Sequence, residues 1–226
     1  MLQRRAILRL SGVREGSQTN SAADPRLTRQ GASRRKIVRR GSLAAAGLVL
    51  GAGVGVVRSP EAAAAAPSPA QDRQIFNFAL LLEYLQAAFY SDALRRGALT
   101  GDALRFAEVV AEHERAHVDY LRKALGSHAR TRPTFDFGEA TTNVRAFLDA
   151  AVRLENIGVA AYNGQAANLT KPVLAAAAEI VSVEGRHAAW VSDLAGHPPA
   201  PRAADVGASS VDVVRELQST HFIKAQ

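Results

Sequence analysis

The sequence contains no cysteine, which excludes disulfides, thiolate zinc sites, iron-sulfur clusters and any cysteine-ligated electron relay. It also lacks a basic body. The formal charge of +7 would suggest a nucleic-acid partner if it were spread along the chain. Residues 1–66 hold 12 Lys or Arg against 3 Asp or Glu, whereas the remaining residues hold 16 basic and 18 acidic side chains. The basicity therefore belongs to a leader, and the rest of the chain has no charge signature for binding DNA. What is present is apolar. At 226 residues and 47% hydrophobic, the chain can bury one proper core.

The leader has three parts. Ser33-Arg34-Arg35-Lys36-Ile37-Val38-Arg39-Arg40 is charged, Gly41 to Val57 is an uncharged run rich in Gly, Ala, Leu and Val, and Ala62 to Ala66 ends at Pro67. A charged segment, an apolar segment and a stretch of small residues describe an export signal. The paired arginines with a preceding serine and following aliphatics resemble the twin-arginine translocation motif, used for proteins exported already folded. Seventeen residues with five glycines make a short, weakly apolar bilayer span, so a cleaved signal is favoured over an anchor. Residues 1–32 carry no pattern that can be interpreted.

After a linker at residues 67–71, helical periodicity begins at Asp72. Ile75, Phe78, Ala79, Leu82, Leu85 and Phe89 recur on one face as far as Arg96, and Gly97 stops the helix. Thr100 is the expected N-cap of a second helix that ends at Gly126. Ser127 to Ala140 reads as an irregular connection, long enough to cross the length of the helix before it. Thr141 or Thr142 is expected to cap a third helix through Tyr162, and Thr170 with Pro172 opens a fourth that ends at Gly196. Residues 197–226 form a tail in which Val211 to Leu217 can make a short amphipathic helix. The expected fold is all-α: a four-helix bundle over residues 72–196 with a long connection between helices two and three.

The chemistry lies in two Glu-x-x-His pairs, Glu114/His117 and Glu184/His187, each with both side chains on one helix face. A lone glutamate in an apolar helix precedes each pair: Glu83 before the first and Glu155 before the second. Four carboxylates and two imidazoles buried together would repel and shift their own pKa values, so two divalent metal ions are the natural occupants. The spacing supports one site. Glu83 lies 13 residues before Arg96 and Glu114 13 after Gly101; Glu155 lies 14 before Leu169 and Glu184 13 after Lys171. Antiparallel hairpins with equal arms bring all four to one height, about 20 Å from each turn.

The halves also repeat a Leu-Glu with a tyrosine seven residues after the glutamate, at Tyr90 and Tyr162. Each tyrosine is expected either to pack in the core or to hydrogen-bond a ligand carboxylate. Gly158, one turn past Glu155, leaves either room over the metals for a small oxidant or space for close helix packing. Phe89 and Trp190 read as core. His113 and Glu112 point away from Glu114 and read as outer-face residues.

With these residues in place, the chain resembles the ferritin-like superfamily, and within it exported ferritin-like-domain proteins related to plant desiccation-related proteins. The resemblance covers about residues 72–196. It implies Glu83 and Glu155 as terminal ligands, Glu114 and Glu184 as bridging carboxylates, and one imidazole per metal from His117 and His187. Both halves carry a full ligand set, unlike cage ferritins, which favours a bound dinuclear centre over a transit site for storage iron. The expectation is an exported di-iron or di-manganese carboxylate protein, in the periplasm, envelope or medium, that reacts with oxygen or peroxide in the manner of an oxidase, peroxidase or catalase. The rival is a stress-protective or metal-sequestering envelope protein whose centre is structural. The expected partners are the twin-arginine translocation machinery and the membrane through the signal segment alone, with no nucleic acid and with a homo-dimer left open.

Overall fold

The computed structural model describes residues 66–224; the twin-arginine segment and the apolar run behind it lie outside the described residues. Five helices follow one another: α1 Pro69–Arg96, α2 Gly101–Leu125, α3 Val144–Gln165, α4 Lys171–Leu194 and α5 Ser210–Thr220. Three short 3-10 turns lie between them, and among the described residues there is no strand, only an isolated bridge between Phe135 and Ile223. None of these helices is long and apolar enough to cross a membrane.

Helix α1 is set by its ends. Ser68 accepts from the Gln71 N–H at 3.3 Å, Pro69 occupies the first turn, and Gly97, its N–H on the Leu94 carbonyl, takes φ 69° and turns the chain out of the helix. It starts three residues before the expected Asp72 because this cap lies within the expected linker. Apolar side chains surround α1 on most sides, since it packs on α2 and also on α3. Helix α3 is capped by Asn143, whose Oδ1 accepts from the Ala146 N–H at 2.9 Å, and by neither expected threonine. Their hydroxyls are engaged elsewhere: Thr141 donates to Asp92 at 2.6 Å and Thr142 to the Glu139 carbonyl. Thr170 stands at the N-cap of α4 as expected, yet its hydroxyl donates to buried Asp72 of α1 at 2.6 Å.

Two hairpins, α1 with α2 and α3 with α4, lie side by side. The connection between them is pinned at both ends to α1. Asn77 holds its start through the His128 carbonyl and the Arg130 N–H, and Asp92 holds its end through Thr141. Fifteen residues of α1 separate those anchors, or about 22 Å of helix. The chain therefore re-enters at the far end of the bundle, and α3 runs antiparallel to α1. The C-terminal segment lies on α3: Ala208 N–H donates to the Ala160 carbonyl at 2.9 Å, and a Cβ on Gly164 would lie 1.8 Å from the Ala208 oxygen. Helix α5 is longer than its expected Val211–Leu217 and buries Val213 and Leu217 in the core. Phe89 sits at the centre of an aromatic cluster with Tyr90, Phe137, Phe147 and Phe222, as a core residue should; Trp190 is half-buried, edge-on to Phe106.

Candidate metal centre

Antiparallel pairing within each hairpin brings the middles of all four long helices to one level. There Glu83 of α1, Glu114 and His117 of α2, Glu155 of α3, and Glu184 and His187 of α4 converge, all buried, with Glu114, Glu155 and Glu184 at 0% exposure. Removing a carboxylate from water without a partner costs several kcal/mol. Four in one layer would be strongly destabilising unless something answers them.

Part of the answer is protein. Tyr90 donates to Glu155 Oε1 at 2.5 Å and Tyr162 to Glu83 Oε1 at 2.6 Å, while Gln86 Nε2 donates to Glu155 Oε1 at 3.1 Å and to Glu184 Oε2 at 3.4 Å. Both tyrosines are therefore in the core and also hydrogen-bonded to the carboxylates. All of these donors approach outer oxygens. The inner atoms, Glu83 Oε2, both oxygens of Glu114, Glu155 Oε2, Glu184 Oε1 and Nδ1 of His117 and His187, are buried without a hydrogen-bond partner.

These seven atoms fall into two overlapping groups. Glu83, Glu114, His117 and Glu184 form one and Glu114, Glu155, Glu184 and His187 the other, with the offered atoms in each all within 4.8 Å of one another. His117 Nδ1 lies 3.1 Å from Glu184 Oε1, 3.3 Å from Glu83 Oε2 and 3.7 Å from Glu114 Oε2. His187 Nδ1 lies 3.2 Å from Glu114 Oε1, 3.3 Å from Glu155 Oε2 and 3.9 Å from Glu184 Oε1. Two donors bound at right angles to one ion by bonds of about 2.1 Å stand about 3 Å apart, close to these spacings. Glu114 turns one oxygen to each group, and Glu184 belongs to both. Each group offers carboxylate oxygens and one imidazole nitrogen, a set that suits divalent metal ions. The residues present therefore fit a pair of ions.

The protons of the metal-free cluster follow from the same crowding. Burial, and then the charge of Glu83, pushes Glu114 well above its ordinary 4.5, and burial with Glu114 and Glu83 does the same to Glu184. Burial opposes charge on His117 too, but its contacts with Glu114, Glu184 and Glu83 outweigh that and raise it to about 12. Burial would raise Glu83; its contacts with His117 and Glu114 and the Tyr162 bond hold it below 4.5. Tyr90 and Tyr162 are lifted well above 10 by burial and by Glu155 and Glu83 respectively, so both stay phenols that can donate. Without metal the layer thus keeps protons on Glu114, Glu184 and His117, and cations entering it must displace them.

Three neighbours add to the sequence reading. Gly158 does not leave open room: a Cβ there would lie 2.8 Å from Glu184 Oε2 and 3.5 Å from Gln86 Nε2, so the amide of Gln86 lies over the glycine. Gln86 itself was not anticipated, although a polar residue one turn past Glu83 in an otherwise apolar face is a visible signal. His113 is solvent-exposed, as an outer-face residue would be, but its ring stacks on His187 and the two are joined by a 2.9 Å Nδ1–Nε2 contact. The rotation of α4 against α2 creates that contact, and no spacing within one helix encodes it.

Residues 71–197 match the family model of a ferritin-like domain. No match was found among the curated proteins.

Proposed function

The chain belongs to the ferritin-like domain family, and on that premise we propose that it is an exported dinuclear carboxylate protein whose iron or manganese pair reacts with oxygen or peroxide. The observation that carries the reading is the set of seven buried nitrogen and oxygen atoms, from six side chains on four helices, turned toward one another without hydrogen-bond partners. Natural proteins satisfy nearly all buried polar atoms, so a cluster of exceptions at one point calls for a ligand.

In this reading Glu83 with His117 and Glu155 with His187 would each serve one ion, and Glu114 and Glu184, common to both groups, would be shared. The bound ions supply the change of oxidation state that these side chains cannot undergo. Tyr90 and Tyr162 hold the outer oxygens of Glu155 and Glu83, which leaves the inner oxygens aimed at the ions. Glu114, Glu184 and His117 would have to give up their protons to hold cations, leaving four negative carboxylates to balance the charge. Leu82, next to Glu83, and Val110, one turn before Glu114, are buried in the apolar core of the same helices. Export rests on the paired arginines and the apolar run behind them.

The test is a titration of the purified chain with Mn(II) or anaerobic Fe(II), followed by oxygen or hydrogen peroxide. Two equivalents bound, lost together in E114A, and repeated turnover of the oxidant are the expected results. Two equivalents without turnover would replace the redox reading with a structural or sequestering centre, and binding of one ion or none would end the dinuclear reading.

A further inference from the structure

The repeat that places the ligands also aligns their neighbours. Glu83, Gln86 and Tyr90 of α1 correspond to Glu155, Gly158 and Tyr162 of α3; His113, Glu114 and His117 of α2 correspond to Val183, Glu184 and His187 of α4. The ligands and the tyrosines match. Gln86 against Gly158 and His113 against Val183 do not.

Both departures act on the same group. Gln86, 2% exposed, donates to Glu155 Oε1 and Glu184 Oε2, and it can do so because Gly158 has no side chain to block the amide. Glu155 therefore accepts from Tyr90 and Gln86 on its outer oxygen, whereas the outer oxygen of Glu83 accepts from Tyr162 alone. His113 Nδ1 lies 2.9 Å from His187 Nε2, with the rings 18° from parallel. If His113 accepts there, the proton of neutral His187 is held on Nε2 and the Nδ1 lone pair faces Glu114 and Glu155. Val183, in the corresponding place on α4, has no group that could do this for His117.

A ligand whose far side is already hydrogen-bonded loses less freedom on binding an ion, and an imidazole that donates its other N–H is also the better base. We infer that the two metal positions are unequal: the one bounded by Glu114, Glu155, Glu184 and His187 fills first and holds its ion more tightly, with Gln86 and His113 as its positioning residues. The position of Glu83 and His117 fills second and exchanges its ion more readily. This rests on the dinuclear reading above.

Calorimetric titration with Mn(II) should resolve two steps in the wild type, and crystals grown with one equivalent should give anomalous density beside His187. H113A should weaken the tighter step by about 10–100-fold while leaving the weaker one unchanged, and Q86M, which also frees the shared Glu184, should weaken the tighter step more than the weaker one. H113Q, which keeps an acceptor, should recover part of the loss, a rescue that mere packing would not produce. E83Q should abolish the weaker step alone. His113 is exposed, so H113A keeps the fold, and its metal-free melting temperature checks this. Two indistinguishable steps in the wild type, first density beside His117, or variants that weaken both steps alike would overturn the inference and leave the dinuclear centre standing. A wild type that binds no metal overturns both.

Discussion

Tyr90 of α1 donates a 2.5 Å hydrogen bond to Oε1 of Glu155 on α3, the carboxylate of the opposite hairpin. Tyr162 returns the relationship to Glu83. The exchange follows from antiparallel α1 and α3: seven residues past each glutamate, one helix has climbed and the other descended, and each tyrosine reaches over its neighbour's ligand. The two hairpins are thereby joined by the same residues that set the carboxylates.

Y90F and Y162F should test that joint. Each removes one donor to a buried carboxylate and should cost about 1–3 kcal/mol. For a folded unit of this size that corresponds to roughly 2–4 °C in melting temperature per kcal/mol, measured by calorimetry on the metal-free chain. Y162F should be the costlier, because Glu83 Oε1 has no second donor comparable to Gln86.

Stability should depend on pH in opposite ways with and without metal. Glu114, Glu184 and His117 all have folded values above their unfolded ones. Their contribution is fully present below the unfolded values, 4.5 for the carboxyls and 6.5 for the imidazole, and is lost as pH rises toward the folded ones. Glu83 has the opposite sign, but its contribution is already in place above 4.5. The metal-free chain should therefore lose stability from this layer between pH 5 and pH 8. Mn(II) binds the deprotonated site, so its stabilisation should grow over the same interval. Melting curves at the two pH values, with and without Mn(II), measure both trends; a metal increment that is equal at both would contradict the proton displacement.

Gly158 and Gly185 offer a matched pair. G158A places a methyl 2.8 Å from Glu184 Oε2 and should destabilise the chain and reduce bound metal, because ligand and amide must both move. At Gly185, also within a helix, a Cβ meets nothing within 4 Å. G185A should stabilise by about 0.5–1 kcal/mol and leave metal content unchanged. Elemental analysis and chemical denaturation of both variants give the comparison.

Export should require Arg34 and Arg35 as arginines. The double lysine variant preserves charge and should leave precursor in the cytoplasm, since the motif is read by a receptor. Cell fractionation with immunodetection decides it, and normal export of that variant would remove the twin-arginine assignment.

The helices, their pairing and the six converging residues were legible because each is encoded within one helix. Apolar spacing marks the buried face, Glu-x-x-His marks two ligands on it, and equal distances to the turns bring the faces level. Contacts that depend on how one helix is rotated against another were not. His113 reads as outward on α2 alone and meets His187 only because α4 packs beside it. Gln86 fills the space of a glycine 72 positions later. Asn143 caps α3 while Thr141 is held by Asp92, 49 residues before it, and Thr142 by Glu139.

The bridge between Phe135 and Ile223 links the crossing connection to the end of the described chain, with Lys224 and Asp136 paired beside it at 3.0 Å. Eighty-eight positions separate Phe135 from Ile223, so this closure is entropically costly and waits on hairpins whose contacts are more local. During synthesis, residues near 223 leave the ribosome after both hairpins. Until they do, Phe89 and Phe137 lack the ring of Phe222 that covers them. A nascent chain stalled before α5 would therefore show an apolar opening in an otherwise formed bundle.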